Sequence, residues 1–254
     1  SVALFKQISP YYLLILAVLL IALVTLSSKI SSVLGQAYEP MAMDMLGAAA
    51  RMHGLSGVAE LPEPYLLSVL TQATLFFKYL WLWVLPNPGW MSVDMRESIA
   101  MSVSGVHTIG LVAFIAYFVV SVWLLLKRGR KGLLGFAMLY PWIMFLTEFT
   151  TVRIQEPFVL YRSYLWMPGL LVMLPLISTW LKPTRAFVLL GTLCLVLVPL
   201  TLNRVNTFSS ALSLWDDAEK LVRDRPDAIG AERIYVNRGN KLFKLKRYEE
   251  AIAD

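Results

Sequence analysis

The stretch "VSGVHTIGLVAFIAYFVVSVWLLLKRGRKGLLGFAMLYPWIMFLT", Val103 to Thr147, decides the fold. Two apolar runs, Val103 to Leu126 and Leu133 to Thr147, flank a basic cluster, "KRGRK", Lys127 to Lys131. Hydrocarbon about 30 Å thick takes roughly 20 mostly apolar helical residues to cross. The stretch therefore reads as two membrane-crossing helices joined on the cytoplasmic side, where lysines and arginines collect. Working outward, Tyr11 to Leu26 ("YYLLILAVLLIALVTL"), Ser163 to Leu181 and Ala186 to Leu202 qualify as further spans, or nearly so. Lys182 and Arg185 in "LKPTR" agree with the inward assignment, as does Lys6 before the first span. Residues 27 to 65, Glu148 to Arg162 and everything after Leu202 then face outward.

Composition points the same way. Of 254 residues, 57% are hydrophobic and only 16% charged, against about 25% charged in soluble domains; the mean hydropathy is +0.63. The chain is an integral membrane protein, all-α, a polytopic helical bundle. The 23 Lys and Arg exceed the 17 Asp and Glu, an excess that loop anchoring explains. No basic patch is interleaved with stacking aromatics, so nucleic acid is not an expected partner. One cysteine, Cys194, in an apolar run excludes a disulfide framework and a thiol metal site. His53 and His107 lack ligand spacing, and no metal ligands are assigned; His107 reads as a helix-packing residue. The chain starts at Ser1 with no signal-peptide pattern and reads as a piece of a longer protein.

Leu66 to Leu85 ("LLSVLTQATLFFKYLWLWVL") is long enough to cross but would break the alternation of sides. Lys78 in its middle, and Trp81, Trp83 and Trp90 around "PNPG", suit a helix lying along the outer interface or re-entering it, with indoles at headgroup depth. A true span is the alternative. After Leu202 the composition changes. Residues 203 to 229 contain Phe208, Leu212, Trp215 and Leu221 at helical spacing with charges between, an amphipathic linker helix ended by Pro226. From 230 to 254, Tyr235, Gly239, Leu242, Tyr248 and Ala251 fall at the spacing of a tetratricopeptide repeat (TPR), cut off within its second helix. Gly239 would let the paired helix approach, and Ala251 would be its small packing residue. One such unit cannot bury its own apolar face, so further repeats should follow.

Polar groups that a bilayer would exclude cluster on the outer side. "WMSVDMRES" supplies Asp94, Arg96 and Glu97, and "TEFTTVRIQEPFVLYRSY" supplies Glu148, Arg153, Glu156, Tyr161, Arg162 and Tyr164. Both groups flank helix ends and could line one shallow cavity. The plain alternative is that they solvate the ends of spans. Arg162 stands out, with Tyr161 and Tyr164 beside it and an apolar helix carrying Pro168 directly after. A planar guanidinium there can take a phosphate bidentately while the rings hold it, which suits a lipid phosphate. Asp94 and Glu148 are candidates for accepting a proton or binding a sugar hydroxyl or a metal. The chain has no Gly-rich phosphate loop, no Ser-His-Asp order and no zinc motif.

The order of these features resembles the second half of membrane glycosyltransferases of GT-C architecture with C-terminal repeats, bacterial relatives of the transmembrane and tetratricopeptide-repeat O-mannosyltransferases. The similarity runs from "LTQATLFFKYLWLWVLPNPGWMSVD" through "EPFVLYRSYLWMPGL" to "NTFSSALSLWDDAEKLVRDRP" and the repeat, about residues 66 to 254. The arginine motif here, "YRSYLWMP", has two extra residues before the proline, and Leu160 stands where an acidic residue often occurs. The resemblance implies a transferase moving sugar from a polyprenyl-phosphate carrier to an extracytoplasmic acceptor, a protein held by the repeats. It implies Arg162 on the carrier phosphate, no certain cofactor though room for a divalent metal, and a catalytic acidic residue upstream of Ser1. The bacterial inner membrane, with the repeat region periplasmic, is the expected location. The competing reading is a non-catalytic anchor that presents the repeats to partner proteins. A transporter is disfavoured, because no span carries ionisable residues at its middle and no inverted repeat is evident.

Overall fold

The computed structural model describes residues 17, 18, 20, 21, 24, 25, 27, 29 and 31–254 except 128, 226 and 227, with 167 and 177–180 described by backbone alone. The chain divides into two units, Ser1–Gln36 and Ala37–Asp254. In the first, the described residues from 17 to 33 are helical, and the expected span from Tyr11 to Leu26 lies mostly outside the described residues. In the second, the helices are α1 (Ala42–Met52), α2 (Pro64–Val84), α3 (Val106–Leu125), α4 (Arg130–Phe145), α5 (Met167–Leu171), α6 (Met173–Trp180), α7 (Pro183–Thr207), α8 (Ala211–Val222), α9 (Glu232–Lys244) and α10 (Tyr248–Ala253). Among the described residues there is no strand, only an isolated antiparallel bridge between Met95 and Phe158. The all-helical expectation holds. Among the described residues four helices are long and apolar enough to cross a membrane: α2, α3, α4 with its 3-10 extension to Phe149, and α7.

The basic loop works as a hairpin. α3 and α4 pack antiparallel at a separation that only small side chains permit, since a Cβ on Gly135 would lie 2.2 Å from the backbone nitrogen of Leu125. Further along the pair, Phe118 stacks on Trp142 at 4.3 Å between ring centres. Phe114 then meets Phe145 and, beyond the helix, Phe149. Gly110 does the same for α3 against α2, where an added Cβ would sit 2.1 Å from Thr74 Oγ1 and 2.9 Å from Thr74 Cα. His107 packs here too, its Nδ1 3.3 Å from Thr74 Oγ1.

α2 begins on firm signals. Pro64 takes the first turn, where its missing N–H costs nothing, and the Glu63 side chain accepts from Leu66 N at 2.9 Å. Pro86 follows its end, disfavouring helical backbone at Leu85. Its middle is the centre of the core. Phe76 is fully buried and meets Phe77, Phe114, Tyr117 and Phe145 edge to face at 5.0–5.3 Å. Each such pair adds about 0.5–1.5 kcal/mol beyond area burial. The polar residues of α2 form a second face. Tyr65, Ser68, Gln72 and Tyr79 lie on one helical face and hold the irregular backbone from 149 to 159. The Tyr65 hydroxyl donates to Phe149 O (2.7 Å), Ser68 Oγ accepts from Arg153 N (2.8 Å) and Gln72 Nε2 donates to Pro157 O (2.7 Å). The Tyr79 hydroxyl accepts from Val159 N (2.8 Å) and donates to Val159 O (3.1 Å). A buried loop must have its polar groups satisfied, and α2 supplies the partners. The polar face of α2 is thus covered by protein.

Two other expectations change. The span expected over 163 to 181 is not one helix. A 3-10 turn (Leu160–Leu165) leads into α5, which stops at Val172 before α6 resumes. Pro175 cannot donate to the carbonyl of Leu171, and its ring crowds that carbonyl, so the helix breaks there. The linker helix expected over 203 to 229 is also divided. α7 runs on to Thr207, and a new helix, α8, starts only after Ser210, whose hydroxyl caps Ser213 N at 3.1 Å. Beyond it, α9 packs against α8 through Ala218, Val222 and Ile234, with Trp215 and Tyr235 alongside.

Candidate functional site

The segment from Glu148 to Arg162 is fixed on two sides. α2 holds one, as above. On the other, one oxygen of the Glu39 carboxylate accepts from Ile154 N (2.8 Å) and Gln155 N (2.6 Å), and Gln155 Oε1 accepts from Met41 N (3.1 Å). So anchored, the segment presents its charged side chains to those of residues 94 to 97, which run beside it through the Met95–Phe158 bridge.

The two charged clusters do come together, as a chain of ion pairs. Asp94 and Arg96 are both buried and meet at 2.6 Å, and Arg96 Nη1 also donates to Gln155 O at 2.8 Å. Glu148, 4% exposed, lies 3.2 Å from Arg162 and 3.9 Å from Arg153. Arg162 reaches Glu156 at 3.8 Å. The link between the clusters is Arg233 of α9, 2.5 Å from Glu156 and 3.7 Å from Asp94. Arg233 was not among the expected residues; in sequence it sits in the repeat, 77 residues from Glu156. Its approach depends on Gly230, which has a left-handed backbone (φ +81°) and lies so close that a Cβ would fall 2.4 Å from both Arg96 Nη1 and the Met45 terminal methyl.

Electrostatics follow the geometry. Burial alone pushes the Glu156 carboxyl up, but the hydrogen bond from Arg233 and the charges of Arg233, Arg162 and Arg96 outweigh it and hold it below the usual carboxylate range. Arg233 is the counterpart. Burial pulls its guanidinium down, while Glu156 and Asp94 raise it further, for a net increase.

The Arg162 guanidinium pairs with Glu148 and Glu156, whereas Tyr161 and Tyr164 are 66% and 67% exposed. Both line a cavity of about 390 Å³ together with Leu82 and Trp83 of α2, residues 91–93, and Phe208. The cation of that cavity is Arg204, near the end of α7. Arg204 forms a fork with Asp217 of α8 (2.9 and 3.3 Å), donates to Pro88 O (3.2 Å) and lies 5.4 Å from the centre of the Phe208 ring. Arg204 and Phe208 are four apart, one helical turn, and this spacing was the signal available in the sequence.

Of the residues assigned to partner binding, Tyr235 is half-buried against α8, Leu242 is buried and Tyr248 is half exposed. A Cβ on Gly239 would meet Ala251 O at 3.3 Å, so α9 and α10 form a close helix-turn-helix pair. Among the described residues no three His, Cys, Asp or Glu side chains converge as metal ligands. In comparisons with known proteins, no protein family, curated protein or solved structure matches the chain.

Proposed function

We propose that this chain belongs to a membrane glycosyltransferase that takes sugar from a polyprenyl-phosphate carrier, and that the carrier seats in the cavity at Arg204. The observation that supports the reading is the composition of that cavity: apolar and aromatic walls, and one guanidinium. Its volume, about 390 Å³, is in the range of small-ligand sites. An amphiphile fits such a lining at both ends, with its apolar units against Leu82, Trp83 and Phe208 and its phosphate toward Arg204. Asp217 now holds Arg204 by its fork, so an incoming phosphate would share or displace that carboxylate. In this reading the phosphate role expected at Arg162 is taken by Arg204.

In the same reading, α9 and α10 are the first unit of a TPR array that holds a polypeptide acceptor, and the close packing of Gly239 on Ala251 favours it. The array would stand on the periplasmic face of a bacterial inner membrane. The test is polyprenyl-phosphate binding to the protein in nanodiscs, comparing wild type, Arg204→Gln and Arg162→Gln. Binding that drops at least tenfold in Arg204→Gln and persists in folded Arg162→Gln is expected. No binding by wild type would favour a membrane anchor that presents the helical pair to partners.

A further inference from the structure

The geometry points to a second ligand site, a saccharide-binding cleft bounded by Trp81, Trp90, Lys78, Glu97 and Arg225. It stands on its own residues and does not rest on the carrier reading; Leu82 is the wall it shares with the Arg204 cavity.

The tryptophans lead to it. Trp83 packs edge-on to Tyr164, Trp142 stacks on Phe118, and Trp166 meets Tyr79 and Phe145. Trp123 takes Lys127 over its ring, and Trp215 packs in the C-terminal core. Among tryptophans with described side chains, Trp81 and Trp90 are left with no aromatic, cationic or core partner, at 51% and 48% exposure. Both border the same cleft, of about 260 Å³. Two indoles exposed singly would be ordinary surface or interfacial belt. Two that flank one crevice, between α2 and the end of the polar, amphipathic α8, give it a pair of apolar walls that suit a ligand with an apolar face.

Its polar groups say what else the ligand carries. Lys78 and Glu97 form an ion pair within the cleft, 31% and 18% exposed. Arg225 is steered by its Nε bond to Leu221 O (3.0 Å), and its two terminal nitrogens have no partner among the described residues. One carboxylate to accept and two cationic groups to donate match a ring of hydroxyls, each both donor and acceptor. A pyranose adds the C–H face that packs on indole. A phosphate would leave the Glu97 acceptor unused, whereas a hydroxyl donates to it.

Saturation-transfer NMR on the full chain in nanodiscs of deuterated lipid tests this, using the methyl glycosides of glucose, galactose, mannose and N-acetylglucosamine. The probes carry neither lipid nor phosphate, so the result is independent of whether polyprenyl phosphate binds at Arg204. We expect transfer to the C–H protons of at least one glycoside, weakened about fivefold by Trp81→Ala or Trp90→Ala and kept by Trp81→Phe. No transfer to any of the four overturns the proposal, as does transfer that survives Trp81→Ala with Trp90→Ala. Should that pair not fold, Glu97→Gln must weaken binding at least as much, and unchanged binding overturns the proposal equally.

Discussion

Arg162 sits between two carboxylates, and one of them, Glu148, is almost fully covered. Removing a partner from a buried pair leaves an uncompensated charge, costing about 3–5 kcal/mol where burial is complete. Arg162 is 18% exposed at its side chain and Arg153 remains 3.9 Å from Glu148, so Arg162→Gln should cost less, about 2–3 kcal/mol. Adding Glu148→Gln should recover most of it. Thermal unfolding in nanodiscs checks both, and an unchanged melting temperature in the single variant would mean that the pair carries no stability. Glu156 gives a pH dependence. Its native value is lowered from the ordinary 4.5, so its contribution is complete above that value and is lost as pH falls through the native one. The stability gap between wild type and Arg233→Gln should therefore be constant near neutrality and narrow as pH falls into the acid range; a gap that widens under acid would contradict the assignment. The sequence marked Asp94, Glu148, Arg153 and Arg162 as outward charges, and they do lie in one network. It could not show which charge each would choose, because that depends on a glycine and an arginine brought back from the C-terminal helices.

At the scale of elements, the apolar runs were readable wherever composition alone decides. α3, α4 and α7 lie where length and hydropathy put them, within a few residues. Proline and capping chemistry decide the rest. Pro175 interrupts a run that hydropathy reads as continuous, and Ser210 starts a helix inside what reads as one amphipathic stretch. α2 was readable as a helix, but its grip on the 149–159 segment was not, since a polar stripe within an apolar helix looks the same whether it faces headgroups or a buried loop. The α3–α4 hairpin yields a sharper test. At Gly135 the obstacle is backbone, 2.2 Å away, which cannot swing aside as a side-chain end can. Gly135→Ala should push the helices apart and cost about 1–3 kcal/mol, the usual range for overpacking. Gly191→Ala, with nothing within 4 Å of its added methyl, is the control and should be neutral or slightly stabilising. Equal effects of the two, measured by unfolding in the same lipid, would mean that the hairpin is looser than described.

At the scale of the whole molecule, two arginines tie the C-terminal helices to the rest. Arg233 reaches Glu156 and Asp94, and Asp217 of α8 grips Arg204 at the foot of α7. Arg233→Gln with Asp217→Asn should free α8 to α10 while leaving α2 to α4 folded. Limited trypsin digestion should then cut between Arg223 and Arg233 several-fold faster than in wild type, and unchanged rates would mean that apolar contacts alone hold the helices. Neither tie was legible in the sequence: the first joins residues far apart along the chain, and the second needs the break after Thr207 that turns α8 back on α7.

α7 shows what such ties are for. It has 25 residues, and none is buried by protein. Its neighbours touch it chiefly near its ends, so in a membrane the hydrocarbon would hold it along most of its length. Its position is therefore a property of the solvent as much as of the chain. Thinning the bilayer, or stripping lipid with a harsh detergent, should disturb α7 before the aromatic core notices. The Arg204 cavity would feel that disturbance first, which makes lipid thickness a direct control on whether the site is formed.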